Sequence, residues 1–314
     1  MKEPRNPVTS LSTSKHGVAF RYRRGSVPGL TPIIFLHGLS QQGDFWQPVI
    51  ESLGSGYSVL SIDLRGHGDS RKMEPDYRIS RISEDCIEVL DELGLTGACI
   101  VGHSWGASVA LHLAAENPER AISCVLIDGG AFTPANIIAL GSVTRESLRI
   151  ALTPPRGPFT RTELTGHFLP VGGDFTPTER KSIMAAINRT YVDASPGGVV
   201  TTIGVDRHMA VLEAFFDYNP DSDLDRLAVP TWILIASDQT APVDTGEHVE
   251  HDDWKQVKRD VDAKVRGNLC IALQHWYGAV HDVPLYWPER VAQLISHAAA
   301  AQHNNRGVVR SDRI

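Results

Sequence analysis

The chain has 314 residues, 42% of them hydrophobic, so it can bury a full core in one large domain or in one domain that carries an insertion. Its formal net charge is -7 and it lacks a long run of Lys and Arg, which argues against a nucleic acid or an anionic membrane surface as partner. No stretch has the length of a membrane-spanning helix, and residues 1–14 have no apolar core of a secretory signal. The four cysteines are isolated in the sequence, with no C-x-x-C spacing, which is typical of reduced thiols. We therefore expect a cytoplasmic protein.

The first predicted element is a strand near a sheet edge, because Val18, Phe20 and Tyr22 alternate with polar or small residues. Short and nearly continuous apolar runs follow, rich in β-branched residues, as is typical of parallel strands buried on both faces. These runs cover residues 32–36, 58–62, 98–101, 123–127 and 231–235, and a further strand is predicted at 269–273.

Helical windows separate these strands. Residues 80–93 carry apolar side chains at the spacing of one helix face, residues 108–116 form a second window, and residues 287–300 predict a closing helix. Alternating strands and helices predict an α/β fold, a doubly wound and mainly parallel sheet. Ligands of such sheets bind beyond the carboxyl ends of the strands.

The rhythm breaks between residues 132 and 225, where helical windows at 176–191 and 205–216 are separated by loops rich in Pro and Gly. We interpret 132–225 as a mostly helical cap inserted into a core made of residues 15–131 and 226–300. Residues 1–14 and 301–314 are predicted to be flexible tails.

One motif carries chemistry. The stretch Gly102-His103-Ser104-Trp105-Gly106 lies directly after an apolar run and before a helical window. This is the sequence form of a nucleophile elbow, a turn so sharp that residues beside the serine must be small. Ser104 is therefore the candidate nucleophile.

A serine hydroxyl needs a histidine base, and the base needs a carboxylate partner. His281 follows the last predicted strand in a turn-like context, which makes it the candidate base. Asp238, just past the run that ends at Ile235, is the first choice for the acid. Asp128, one strand earlier, is the second choice, and Asp244 is a further alternative.

Acyl transfer also needs donors for the developing oxyanion. The backbone N–H groups of Leu39, on the loop after residue 36, and of Trp105, at the elbow, are the candidates. His37 is assigned a packing role in that loop. Aromatic side chains that could line an apolar substrate pocket under the cap are Phe45, Trp46, Phe132, Phe215 and Phe216, with the Trp105 side chain a further candidate.

Taken together, these motifs resemble the α/β-hydrolase superfamily. The resemblance rests on His37-Gly38, on the stretch from Asp63 to Ser70, on the elbow, on residues 230–238 and on residues 280–282, and the cap is unmatched. It implies Ser104, His281 and Asp238 as the triad, and loop-bracing roles for Arg65, His67 and Asp69. The acid loop departs from the family pattern, because Gln239 stands at the usual aspartate spacing. The charged stretch 244–266 is longer than usual and predicts an extra helix.

We therefore expect a serine hydrolase that cleaves a carboxylic ester or lactone of a small, largely apolar molecule, without a cofactor or metal, as a monomer or homodimer. Carbon–carbon bond hydrolases, aminopeptidases, thioesterases and perhydrolases share this scaffold and stay open. Haloalkane dehalogenases and epoxide hydrolases resemble the fold but use aspartate at the elbow. A ligand receptor or a non-hydrolytic biosynthetic catalyst is the alternative of another class.

Overall fold

A computed structural model describes residues 11–70, 73–154, 157–168, 175–194, 197–237 and 251–301. Its centre is an eight-stranded sheet in the order β1-β2-β4-β3-β5-β6-β9-β10. The strands β1 and β2 pair antiparallel, as do β2 and β4, and all other neighbours in this sheet are parallel. The strands of the large sheet are β1 Leu11–Thr13, β2 Ala19–Arg23, β3 Ile33–Leu36, β4 Val59–Ile62, β5 Ala98–His103, β6 Ala121–Ile127, β9 Thr231–Ser237 and β10 Ile271–Tyr277, and a separate pair consists of β7 Tyr191–Asp193 and β8 Val199–Thr201.

Helices cover both faces of the sheet. Alternate side chains of β3 enter different clusters: Ile34 and Leu36 pack with one, and Ile33 and Phe35 with the other. This explains the continuous apolar runs, since a strand covered on both faces has no solvated side. The helices are α1 Gln47–Leu53, α2 Ile79–Glu92, α3 Trp105–Glu116, α4 Pro134–Ala139, α5 Arg145–Ala151, α6 Arg161–Phe168, α7 Pro177–Thr190, α8 Val205–Phe216, α9 Asp221–Arg226, α10 His251–Val265, α11 Val283–Tyr286 and α12 Pro288–Ala300.

The helices α2 and α3 pack on one face, and α1 and α12 pack on the other. The fold class expected from the sequence, a doubly wound and mainly parallel sheet, is confirmed. Differences lie at element ends. The helix α3 begins at Trp105 rather than at 108, because the elbow leads into it without a linker, and β10 continues to Tyr277 rather than stopping at 273.

The segment between β6 and β9 contains α4 to α9, and we call residues 134–226 the insertion. Its helices are short, and four of the six have eight residues or fewer. The hairpin of β7 and β8 was not expected from the sequence, although its strands hold β-branched residues at Val192, Val199 and Val200. Strands of three residues are too short to show a period.

All four cysteines are free thiols, and three of them are buried. Within the described ranges, each helix is either too short or too polar to cross a bilayer.

Candidate active site

The nucleophile elbow forms at the end of β5. Ser104 has φ 53°, in the left-handed region that a residue with a side chain enters only at a cost in strain. The turn tolerates no bulk beside it, because a Cβ on Gly102 would lie 2.3 Å from the Gly106 carbonyl oxygen. A Cβ on Gly106 would lie 2.3 Å from the carbonyl oxygen of His37. Both glycines are therefore steric requirements of the turn.

The end of β6 packs against the elbow. The Ser104 N–H donates to the Ile127 carbonyl at 2.9 Å, and a Cβ on Gly129 would lie 2.3 Å from the Ser104 carbonyl oxygen. This close approach brings the residue between them, Asp128, to the base of the elbow.

Ser104, His281 and Asp128 form a continuous hydrogen-bonded series. His281 Nε2 lies 3.0 Å from Ser104 Oγ, and His281 Nδ1 lies 2.7 Å from Asp128 Oδ2. The His281 side chain is 56% exposed, whereas that of Asp128 is 1% exposed. The series thus runs from an open surface into the interior, with the carboxylate shielded from water and the hydroxyl reachable by a ligand.

Asp128 is held on both carboxylate oxygens. It has φ 45°, and its Oδ1 accepts from the Ala236 N–H at 3.0 Å, so the neighbouring strand β9 fixes the carboxylate. Lys258 of α10 places Nζ 2.8 Å from Oδ1 and donates also to the Ala236 carbonyl at 2.9 Å. Burial alone would raise the pKa of this carboxyl, but the charge of Lys258 and the hydrogen bond with His281 outweigh burial and lower its pKa to about 2. Asp128 is ionised at neutral pH.

The same carboxylate acts on the base. Desolvation disfavours the charged form of His281, but the hydrogen bond and the negative charge of Asp128 prevail and raise the pKa of His281 above its usual value. Lys258 opposes this effect with its positive charge. The imidazole is therefore oriented and stabilised as a proton acceptor, which is what a general base needs.

Sequence reasoning placed Asp238 first and Asp128 second as the acid. Asp238 and Asp244 lie outside the described residues, and the contact with His281 Nδ1 is made by Asp128. Asp282, next to the base in sequence, accepts from Gln41 Nε2 at 2.9 Å. The signal for Asp128 was its position directly after Ile127, at the carboxyl end of a central parallel strand.

Residues 38–41 form a tight turn beside Ser104, which we call the oxyanion turn. The Gln41 N–H donates to the Gly38 carbonyl at 3.1 Å, and the Gln41 side-chain Oε1 accepts from the Gly38 N–H at 3.0 Å. A Cβ on Gly38 would lie 3.2 Å from Ser104 Cβ, so the backbone of the turn packs closely against Ser104. Leu39 sits in this turn, and Trp105 is the first residue of α3, where an N–H has no carbonyl partner in the helix. These are the positions expected for two oxyanion donors.

A buried network braces the turn. His103 stacks on Phe45, with ring centroids 4.9 Å apart, and its two nitrogens lie 3.2 Å from Gln41 Oε1 and 2.9 Å from the His281 carbonyl. Burial lowers the pKa of His103 to about 4, so it acts as a neutral structural group. The network joins the oxyanion turn, the elbow and the loop of the base.

The loop after β4 is braced in the same way. His37 Nε2 accepts from the Leu64 N–H at 3.0 Å, which supports its packing role. Arg65 makes two hydrogen bonds to the buried Asp85, at 2.7 and 2.8 Å. His67 contacts the Arg65 carbonyl at 3.0 Å, and the Asp69 N–H donates to the Asp63 carboxylate at 3.0 Å. None of these contacts is with Ser104 or His281.

The predicted pocket aromatics occupy different environments. Trp46 has no surface accessible to water and packs on Phe35, with ring centroids 5.0 Å apart, so the structure places it in the core and not at a pocket wall. Phe216 is buried under the Arg145 guanidinium at 5.1 Å, and Phe132 lies beneath Lys258 at 5.5 Å. Phe215 is partly exposed, and the Trp105 side chain is fully buried against His67.

Sequence reasoning missed three polar side chains around the site: Gln41, His208 and Lys258. Gln41 lies within three residues of the predicted donor Leu39, so proximity could have singled it out. Lys258 belongs to the charged stretch for which an extra helix was predicted, and α10 is that helix. His208 comes from the insertion, 168 residues from its partner Ser40, and no local pattern could identify the pairing.

Among the residues that the structure describes, one cluster has donor atoms that could bind a metal ion. His112 and Glu116 of α3 and Asp223 of α9 place their ligand atoms within 4.8 Å of one another. Protein groups already bind these acceptors: Arg226 pairs with both carboxylates, and the Tyr218 hydroxyl donates to Asp223 at 2.7 Å. The arrangement fits a structural link between the insertion and α3.

Comparison with known proteins agrees with this architecture. Residues 31–151 match the family model of the alpha/beta hydrolase fold. Epoxide hydrolase B of Mycobacterium tuberculosis is 40% identical over 96 residues, which are 30% of this chain and 27% of that protein. The chain spans less than half the length of the curated relatives it matches.

Solved structures match over nearly the whole length. The E-2-(acetamidomethylene)succinate hydrolase has a TM-score of 0.66 at 20% identity, covering 92% of this chain and 98% of that one. A structure from Nitrososphaera gargenis, from a study of carboxylesterases, has a TM-score of 0.65 at 16% identity, covering 93% and 98%. Sheet order, elbow and these matches define an α/β-hydrolase fold. The chain has this fold, and its residues 31–151 are similar to the α/β-hydrolase family.

Proposed function

We propose that the protein is a serine hydrolase that cleaves a carboxylic ester or lactone of a small, largely apolar molecule through an acyl-enzyme. The observation that carries the proposal is the series Ser104 Oγ, His281 and Asp128, with heavy-atom distances of 3.0 and 2.7 Å. Both distances are in the range for proton transfer between a hydroxyl, an imidazole and its carboxylate partner.

In the first half of the reaction, His281 Nε2 takes the Ser104 hydroxyl proton while Oγ attacks the carbonyl carbon. The carbonyl π pair moves onto oxygen, and the N–H groups of Leu39 and Trp105 are assigned to stabilise that negative charge. Collapse re-forms the carbonyl and breaks the bond to the leaving oxygen. That oxygen receives the proton from His281, which leaves an acyl-enzyme and a free or tethered alcohol.

In the second half, water loses a proton to His281 and attacks the acyl carbon. Collapse of this second intermediate releases the carboxylic acid, and the proton returns to Ser104 Oγ. Asp128 stays ionised throughout and stabilises the imidazolium, in keeping with its lowered pKa.

A serine hydroxyl attacks an acyl carbon and forms an ester with the acyl group. Ser104 therefore favours ester or lactone cleavage over the epoxide opening that the name of one relative describes. Support for a small apolar substrate comes from two side chains near the elbow: Phe45 stacks on His103 at 4.9 Å, and Leu39 is a partly buried apolar residue of the oxyanion turn. The insertion contacts that turn through His208. The carboxylesterase study behind one structural neighbour is compatible with this substrate class.

The test uses an active-site serine probe, a fluorophosphonate, on the folded protein, followed by a panel of ester, lactone, thioester, amide and 1,3-diketone substrates. We expect labelling of the wild type, no labelling of Ser104→Ala, and the highest kcat/KM among the esters and lactones. Absence of labelling in the wild type would refute the serine mechanism. Preferred cleavage of another bond type would keep the mechanism and replace the substrate class.

A further inference from the structure

The oxyanion turn is fixed from two sides. On the core side, Gln41 closes it through the Gly38 carbonyl and the Gly38 N–H, as described above. On the other side, the Ser40 hydroxyl lies 2.6 Å from Nδ1 of His208, a residue of α8 in the insertion. Only the second contact crosses from the insertion to the turn that holds Leu39.

Ser40 has a backbone conformation that needs support. Its φ is 67°, and it stands at the third position of the turn, where type II turns require a positive φ and usually have glycine or asparagine. A serine there is strained, and such strain persists only when surrounding contacts over-determine the conformation. Leu39, the residue with the assigned oxyanion donor, directly precedes it, so rotation at Ser40 would disturb the same turn.

His208 is suited to supply that support. It is partly buried and interacts with the backbone of Leu152 as well as with Ser40. Burial lowers the pKa of His208 to about 4, so its imidazole is neutral at neutral pH. A neutral ring that carries its proton on Nε2 accepts the Ser40 hydroxyl proton at Nδ1, and this hydrogen bond joins Ser40 to α8.

We propose that His208 is a positioning residue, which holds Ser40 in its left-handed conformation through the hydroxyl and thereby aims the Leu39 N–H at the oxyanion. The insertion thus takes part in transition-state stabilisation without touching the substrate at this point. The inference rests on the proposed serine hydrolase function.

A purely structural contact would behave differently. If the Ser40–His208 hydrogen bond only joined the insertion to the core, its loss would lower the melting temperature or weaken ligand binding. A positioning role instead predicts a slower chemical step. It also predicts that glycine at position 40, which adopts a positive φ without strain, removes the need for His208.

The experiment measures labelling by the fluorophosphonate and separates the limiting rate constant, kinact, from the half-saturating concentration, KI. The variants are Ser40→Ala, His208→Leu and the double variant Ser40→Gly/His208→Leu. We expect kinact to fall about tenfold in the first two with little change in KI, because a misaligned donor loses part of the 10²–10³-fold effect of a complete oxyanion donor. We expect the double variant to recover most of that loss.

A matched control is Ser142→Ala, which removes another hydroxyl hydrogen bond made by the insertion, the one to Asp253 at 2.8 Å. It should label at the wild-type rate. The proposal is overturned if His208→Leu and Ser40→Ala keep the wild-type kinact, or if glycine at position 40 brings no recovery. Should His208→Leu fail to fold, Ser40→Ala decides, because it deletes a single oxygen atom.

The two proposals fail in distinguishable ways. If the wild type itself is not labelled, the serine hydrolase function fails. If the wild type is labelled and Ser104→Ala is not, but all position-40 and position-208 variants label equally fast, only the role of His208 fails.

Discussion

The elbow in the sheet core and the helix α6 in the insertion differ in how closely the chain packs at a glycine. In the core, a Cβ on Gly106 would collide with the backbone of β3 and the loop after it, at 2.3 to 2.4 Å. In the insertion, a Cβ on Gly166 of α6 would have no heavy atom within 4 Å apart from its chain neighbours and the nearby backbone of its own helix. The chain around Ser104 is therefore closely packed, whereas α6 has open space at Gly166.

One ion pair from each region gives a second contrast. Arg65 binds Asp85 where the side chains are 6% and 2% exposed, whereas Arg145 binds Glu213 where they are 45% and 42% exposed. Ser104, His281 and Asp128 all come from the sheet core, and the insertion reaches the oxyanion turn through the contact of His208 with Ser40. Four measurements test this contrast.

The largest expected effect is on catalysis, in the core. Asp128→Asn should lower kcat about 10⁴-fold, because an amide neither fixes the His281 tautomer nor stabilises the imidazolium. Steady-state kinetics on the best ester substrate checks this. If catalysis belongs to the core, the loss is far larger than the one expected from His208→Leu in the insertion.

The matched variant is Asp238→Asn, at the position preferred from the sequence. We expect it to keep kcat within about threefold of the wild type, since Asp128 already binds His281 Nδ1. A collapse of kcat in Asp238→Asn, with Asp128→Asn active, would transfer the acid role to Asp238.

Backbone packing gives the next effect. Gly106→Ala should destabilise the fold by more than about 4 kcal/mol, because a methyl group cannot fit against the carbonyl oxygens of Leu36 and His37. Gly166→Ala, in a helix with open space, should stabilise by about 0.5–1 kcal/mol. Urea unfolding of both variants measures the two changes in the free energy of unfolding. Similar changes in the two variants would contradict the difference in packing.

The ion pairs predict a smaller difference. Arg65→Ala should cost about 3–5 kcal/mol, because it leaves the buried Asp85 carboxylate without its bidentate partner, although Arg81 still contacts it. Arg145→Ala should cost about 1–2 kcal/mol, because its exposed ion pairs are screened and the other loss is the contact of its guanidinium with the Phe216 ring at 5.1 Å. High salt should narrow the gap between Arg145→Ala and the wild type and leave the effect of Arg65→Ala nearly unchanged. Equal losses at both sites would contradict the packing argument.

The sequence predicted the core well, for a physical reason. Buried parallel strands need unbroken apolar runs, and the elbow needs glycines at fixed spacing, so both leave local signals that locate Ser104 and the sheet. His281 could be found because it follows the last strand. Chain order could not decide whether Asp238 or Asp128 is the acid, because both follow central strands. The contact of Asp128 with His281 Nδ1 distinguishes them.

The contacts of Lys258 and His208 could not be predicted, because no local sequence pattern indicates them. Lys258 reaches Asp128 across 130 residues, and His208 reaches Ser40 across 168. Such pairs depend on where α10 and α8 pack on the sheet. The position of a packed helix leaves no periodic pattern and no motif in a single sequence. The hairpin of β7 and β8 was missed because strands of three residues show no alternation.

The smallest expected effect concerns Lys258, which links the core acid to α10. Its positive charge lowers the pKa of His281, so Lys258→Met should raise that pKa further. Only neutral His281 can take the Ser104 proton, and the acid limb of the kcat/KM profile should therefore move to higher pH. If the acid limb moves by less than one pH unit, the loss below the pKa of His281 stays under about tenfold.

The control is Lys264→Met on the same helix, whose partner is Asp221 at 2.7 Å and whose charge does not reach Asp128. Lys258→Arg should keep the wild-type limb, because it restores the charge. An acid limb that stays in place in Lys258→Met, or moves to lower pH, would show that Lys258 does not tune the base. The contacts left for α10 would then be packing contacts, such as that of Trp254 with Phe132 and those with β10.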